Sequence, residues 1–176
     1  MRQVRRTPPR LGTVRLVAID GPAGSGKTTL ASAVAAAIAA TGDGVGTVHL
    51  DDLYEGWSGL DGVWDRLAYW VLEPLMRGEP GRYRRYDWGS GRWAEWHDLP
   101  VPDALVVEGC GSAPRAVDAL AVLRVWVEAP EPVRLARGLE RDGSAMRDHW
   151  LRWMTDEATH FAAEGTKERA DMRFVT

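Results

Sequence analysis

The sequence predicts an α/β fold, a mostly parallel sheet with helices on both faces. Three observations predict it. An apolar run opens onto a glycine-rich loop, four further short apolar runs follow, and segments of helical spacing lie between them. The length of 176 residues suits one domain with a real core and is too short for two.

The elements follow in order. Residues 1–13, including "MRQVRRTPPR", are basic and Pro-containing and are expected as a flexible tail; the domain proper is expected over 14–176. Val14 to Ile19 is rich in Val and Ile, the pattern of a buried strand. After the glycine loop, an Ala-rich segment has strong helix propensity and stops at Gly42, a natural C-terminal cap. "GTVHL" (46–50) reads as a second strand. "WDRLAYWVLEPLMRG" (64–78) has helical spacing, with Pro74 as a kink or end. The stretch carrying Trp88, Trp93 and Trp96 contains glycines and reads as irregular. "ALVVEG" (104–109) and "VLRVWVE" (122–128) are buried-strand patterns. Prolines open a helix over 130–142, a long amphipathic helix spans 147–163, and "ADMRFVT" closes as a short strand.

Composition excludes several classes. A net charge of -3 and a pI near 5.8 leave no basic face for nucleic acid. No apolar run approaches the ~20 residues that span a bilayer. The single cysteine, Cys110, forms no intramolecular disulfide and points to a cytoplasmic protein. The four histidines show no metal-ligand spacing. The oligomeric state is left open, a homo-oligomer included.

The chemistry starts at "GPAGSGKT". Gly21, Gly26, Lys27 and Thr28 match the Walker A pattern between a strand and a helix. In a P-loop of this kind the backbone N–H groups around Gly21, Ala23, Gly24, Ser25 and Gly26 turn into one concavity, and the helix adds the positive end of its dipole. Lys27 reaches the outer phosphates, Thr28 ligates Mg²⁺, and Thr29 lies at the same helix start, which implies ATP and Mg²⁺ as cofactors. Asp51 and Asp52, at the end of the second strand, are candidates to take a proton from an attacking hydroxyl or to hold metal-bound water. Asp51 is the expected base, with capping of the following helix the alternative role, assigned to Asp52. Glu108, closing an apolar strand, fits the carboxylate that helps hold Mg²⁺. Arg141 and Arg147 flank "DGSAM" and suit a lid over 141–148 that closes on phosphates, whereas Arg134 is expected on a solvated helix face.

The P-loop, "DDLY", "YDW", "LVVEG" and "RLARGLERD", in this order, resemble the uridine kinase family, within the wider uridine kinase and phosphoribulokinase group. The resemblance runs from Val14 to Val175. It implies a P-loop NTPase fold and transfer of a phosphoryl group from ATP to the 5′-hydroxyl of uridine or cytidine. It implies Asp51 as the base, Tyr54 as a wall of the acceptor pocket, Asp65 on the ribose hydroxyls, and Tyr86 and Trp88 around the base. Three features depart from the family: "LDGVWD" replaces a His-Pro-Asp-Ala-Phe-Asp stretch, no His follows "YDW" closely, and the lid reads "RDGSAMRD". Other readings are a cytidylate-type monophosphate kinase, a kinase of a vitamin, sugar or antibiotic, and a nucleotide-dependent switch. The acid pair in "LDDLYEGW" favours a neutral acceptor over a phosphorylated one, because like charges at ~4 Å repel by about 1 kcal/mol even in water.

Overall fold

The structure, a computed structural model, describes residues 2–176. Five parallel strands form the central sheet: β1 (Arg15–Asp20), β2 (Val45–His49), β5 (Ala104–Glu108), β6 (Ala121–Glu128) and β7 (Met172–Val175). Their order is β2-β5-β1-β6-β7, so β1 lies at the centre. The three inner strands, β5, β1 and β6, are covered on both faces, which is why they read as continuous apolar runs rather than alternating ones. Alternate residues of β1 enter two cores. Leu16 and Ala18 join one, with Val71, Leu72 and Trp153. Val17 and Ile19 join the other, with Ala31 and Ile38. Those last two belong to α2 (Lys27–Ala39), the Ala-rich helix expected from the sequence.

Register sets the site. Ile19 and His49 both pair with Glu108, so Asp20, His49 and Glu108 emerge together at the carboxyl ends of adjacent strands. Ligands bind at that edge in open α/β sheets.

Between β2 and β5 the chain makes α3 (Val63–Leu67), a π-helical turn over Ala68–Leu72, and α4 (Glu73–Met76). Pro74 stands just after the π turn. It has no N–H to give to the preceding turn, and its ring crowds the carbonyl four residues back, so a widened turn fits there. The expected kink is therefore a change of helix type.

Two expectations are corrected. The stretch around Trp93 is not irregular: β3 (Gly81–Asp87) and β4 (Arg92–Leu99) form an antiparallel hairpin. Trp70 packs edge-on against Trp93 and Trp96, and Arg82 lies over the Trp96 ring. The tail is also not loose. Met1 lies outside the described residues, but Arg2–Arg6 form α1, Val4 and Leu11 are buried, and Leu11 bridges Val14. Arg10 donates to the Ala121 carbonyl. Two apolar residues in a charged segment are enough to anchor it to the sheet.

The chain continues into α5 (Glu131–Asp142), a short 3-10 turn over Ser144–Met146, α6 (Arg147–Glu164) and α7 (Thr166–Arg169). Among the described residues no helix is long and apolar enough to cross a membrane.

Candidate active site

The loop from Gly21 to Gly26 joins β1 to α2. Gly21 has φ 143°, and a Cβ there would stand 2.0 Å from the Val127 carbonyl oxygen, so only glycine lets the loop leave β1 this close to β6. Lys27, the first residue of α2, is 7% exposed. Its Nζ donates to the Pro22 carbonyl at 3.0 Å and lies 3.6 Å from Cys110 Sγ. Burial works against its charge, but the Cys110 sulfur and the Glu108, Glu157 and Asp51 carboxylates outweigh it and keep its pKa above the ordinary value. The side chain is a buried cation at the mouth of the loop.

Thr28 and Glu108, the residues expected to hold a metal, meet: Thr28 Oγ1 donates to Glu108 Oε1 at 3.0 Å. His49 Nδ1 stands 2.7 Å from the same oxygen. That bond raises the His49 pKa, against the effect of burial. No group of three or more His, Cys, Asp or Glu able to hold a metal occurs among the described residues. Mg²⁺ does not need one: it takes one or two protein oxygens and fills the remainder with phosphate and water. A hydroxyl and a carboxylate beside a phosphate loop fit that chemistry.

One cavity of about 730 Å³ joins these groups. Ala23, Gly24, Gly26, Lys27, Thr28 and Thr29 line one part; Gly21 and Ser25 belong to the loop behind the lining. Asp51, Asp52 and Glu108 face the same space. Asp51 has surface open to the cavity but lies in a recess, and that burial, followed by the Glu108 charge, raises its pKa. Its backbone is pinned by Trp88, whose Nε1 donates to the Asp51 carbonyl at 2.9 Å. Neither the Asp51 nor the Asp52 carboxylate has a hydrogen-bond partner among the described residues, so Asp52 caps no helix.

Tyr54, Tyr86 and Trp88 line the cavity, joined by Trp57, Trp150 and Trp153. Tyr54 is buried and donates to the Cys110 carbonyl at 2.8 Å. Trp57 stacks on His149 and meets Trp88, Trp150 and Trp153 edge-on. Asp65 is elsewhere. It is exposed on α3 and lines a separate groove with His160 and Glu164, so it is not placed to bind an acceptor beside Asp51. The helix register explains this: Val63 and Leu67 face the core, which turns Asp65 outward.

The arginines divide. Arg141 lines the cavity, paired side-on with Asp142 at 2.7 and 3.0 Å. Arg137, next along the same helix, also lines it and donates to the Gly24 carbonyl. Arg147 is exposed, starts α6 and does not line the cavity, since the 3-10 turn carries it past the mouth. Arg134, expected in solvent, is buried and paired with Glu157 at 2.7 Å. Arg82, Arg84 and Arg85 serve the hairpin: Arg82 pairs with Asp98, Arg84 bonds the Ala94 and Trp93 carbonyls, and Arg85 grips Glu95 with two bonds.

Three functional-looking groups were missed in the sequence. His49 directly precedes "LDD" at a strand end, a position that signals the same edge. Asp20 directly precedes Gly21 and is fully buried, accepting from the backbone N–H groups of Gly21, Gly111 and Ala113 at 2.7–2.9 Å. It ties the phosphate loop to the loop after β5. The Arg134–Glu157 pair has no local signal at all.

A parallel sheet, a phosphate loop after its central strand and acids at the strand ends define the class of the fold: it is a P-loop α/β fold. No protein-family model and no curated protein matches the sequence. Solved structures match its shape. A possible uridine kinase from Bacillus stearothermophilus superposes with a TM-score of 0.69 at 20% identity, covering 96% of this chain and 90% of that one. A candidate fructose transport system kinase from Silicibacter sp. TM1040 gives 0.70 at 22% identity, covering 96% and 91%. D-glycerate 3-kinase from Cryptococcus neoformans var. grubii gives 0.60 at 13%, covering 96% and 86%. At these identities the likeness is one of fold.

Proposed function

We propose that this protein is a small-molecule kinase that moves the γ-phosphoryl group of ATP to the hydroxyl of a small neutral acceptor bearing a flat ring, with a nucleoside such as uridine or cytidine the leading class. The observation that carries the reading is Asp51: a carboxylate without a protein partner, in one cavity with Lys27, Thr28 and Glu108. In this reading the loop N–H groups and Lys27 hold the phosphates. Thr28 and Glu108 would hold Mg²⁺, whose charge offsets that of the phosphates when bound. Asp51 accepts the proton of the acceptor hydroxyl, and its raised pKa makes it a better base than an exposed aspartate. Arg141 and Arg137, at the cavity wall, counter the negative charge spread during transfer.

The charge distribution supports a neutral acceptor over a monophosphate. Lys27, Arg137 and Arg141 stand on the phosphate side, while Arg85, the hairpin arginine on the cavity, is engaged by Glu95. Aromatic walls suit stacking on a planar ring, at ~1 kcal/mol or more per ring by analogy with base stacking. A switch protein needs no such acceptor space. With Asp65 outside the cavity, Asp52 is the remaining unpartnered carboxylate beside Asp51, so any preference for ribo- over 2′-deoxynucleosides would rest on Asp52. The test is initial ADP release from ATP–Mg²⁺ with a panel of nucleosides, sugars, vitamins and nucleoside monophosphates. Faster release with neutral ring-bearing alcohols is expected. Acceleration by monophosphates alone would overturn the neutral-acceptor reading, and no acceleration by any acceptor would favour a switch.

A further inference from the structure

Outside the cavity, a buried ion pair holds the phosphate loop from behind. Glu157 on α6 is 1% exposed and Arg134 on α5 is 9% exposed. Glu157 does not line the cavity, yet three donors converge on its Oε2: the Ala23 N–H at 2.7 Å, Trp153 Nε1 at 3.1 Å and the Cys110 thiol at 3.4 Å. Its other oxygen takes Arg134 Nη1 at 2.7 Å. Arg134 in turn donates to the Ala23 carbonyl at 3.3 Å and the Ala129 carbonyl at 3.2 Å. Both backbone polar groups of Ala23 are thus occupied by one ion pair from two helices.

Buried ion pairs are weak devices for holding helices together, since apolar residues of similar volume do that as well or better. What an apolar pair cannot do is accept an N–H and donate to a carbonyl of the same loop residue. We propose that Glu157, backed by Arg134, is a positioning residue for the phosphate cradle. By fixing the outward N–H and the carbonyl of Ala23, it sets the direction in which the next N–H groups of the loop face the nucleotide phosphates. The same carboxylate holds the indole of Trp153, whose ring lines the cavity, so one group ties the cradle to an aromatic wall. The inference rests on the reading of this cavity as an ATP site.

Two variants and one measurement on the unmodified protein test it. Arg134→Met/Glu157→Met removes the grip without leaving a buried charge unpaired. Glu157→Gln keeps one oxygen for the Ala23 N–H and removes the charge. Mg–ADP affinity is measured by titration calorimetry and folding by thermal unfolding. The double variant should bind Mg–ADP about 10-fold more weakly, the scale seen when supporting groups behind a ligand site are lost, with the rise appearing in the KM for ATP. Glu157→Gln should melt lower, because buried Arg134 loses its carboxylate, but the folded protein should bind Mg–ADP within about 3-fold of the unmodified protein, as one bonded oxygen remains. A folded double variant with unchanged Mg–ADP affinity overturns the proposal. So does a Glu157→Gln protein as impaired as the double variant, because charge rather than alignment would then be at work. Hydrogen exchange of the unmodified, nucleotide-free protein gives a readout that needs no variant to fold. The Ala23 amide should exchange as slowly as those of β1, and fast exchange overturns the grip. If the unmodified protein fails to bind Mg–ADP while Ala23 is protected, the ATP reading fails and the grip stands.

Discussion

Gly138→Ala sets two familiar effects against each other, and the structure decides the sign. Gly138 lies inside α5, where alanine is the better helix former by ~1 kcal/mol. A Cβ at this position would meet three ring atoms of Trp150 at 2.3, 2.4 and 2.7 Å. Carbon atoms pack best at about 3.5–4.0 Å, so the indole must retreat by roughly 1 Å or more. It has little freedom to do so: Trp150 is 2% exposed, and its Nε1 is bonded to Asp142 at 3.0 Å. Forcing an extra carbon into a packed core costs ~1–3 kcal/mol, and a rigid ring with three close contacts belongs at the upper end. Net destabilisation of about 2 kcal/mol is expected, a melting temperature lower by about 4–8 °C for a chain of this size. Trp150 is one of the aromatic rings lining the cavity, so the acceptor KM should rise as well. Urea unfolding and steady-state kinetics with both substrates varied provide the measurements. A variant that melts higher than the unmodified protein refutes the packing argument, since helix propensity would then have won.

Three further outcomes are expected. Lys27→Ala should abolish transfer while the fold survives, as circular dichroism would show; unchanged turnover with unchanged ATP affinity would remove Lys27 from the phosphate site. Asp51→Asn should keep ATP binding and lose at least ~10²-fold in rate, the scale of a lost general base, with Asp52→Asn losing much less; a reversed order in single-turnover assays would make Asp52 the base. Asp20 gives a pH dependence. Burial raises its pKa from 3.8 to about 6, against three backbone N–H donors and Lys27. The folded state therefore keeps a proton that the unfolded state has lost. The stability this supplies is complete below pH 3.8 and disappears as pH rises through about 6. Its size is on the order of 3 kcal/mol. Asp20→Asn should flatten that slope when urea unfolding is followed across the interval, and equal slopes for both proteins would contradict it.

The parts of the fold legible in the sequence are those whose cause is local. The phosphate loop is contiguous, and β1, β5 and β6 are buried on both faces, so each appears as an unbroken apolar run. The hairpin was hidden because its strands mix arginines, tyrosines and tryptophans on half-exposed faces, with the pairing register shifting between Arg84 and Tyr86. Asp65 looked like a site residue by motif, but its direction is set by which neighbours the core takes. Arg134 shows the limit most clearly. Nothing beside it in sequence marks it as buried, for its partner Glu157 and its acceptor Ala23 belong to a distant helix and a distant loop. A buried charge is a property of assembled elements, not of a window of residues.

The central place of β1 has a consequence for how the chain is made. The first of the five sheet strands to be made is flanked in the finished sheet by β5 and β6, with Leu16 paired to Leu105 on one side and Ala121 on the other. Neither neighbour exists when β1 emerges. At roughly 5–20 residues per second, the wait for both lasts on the order of 5–20 s. For that interval a Val- and Ile-bearing strand with two open edges has no native partner, and parallel pairing over such separations is slow even after the partners arrive. The strand that anchors the phosphate loop is thus the segment of the nascent chain most exposed to wrong pairing, and the one a holding chaperone would gain most by covering.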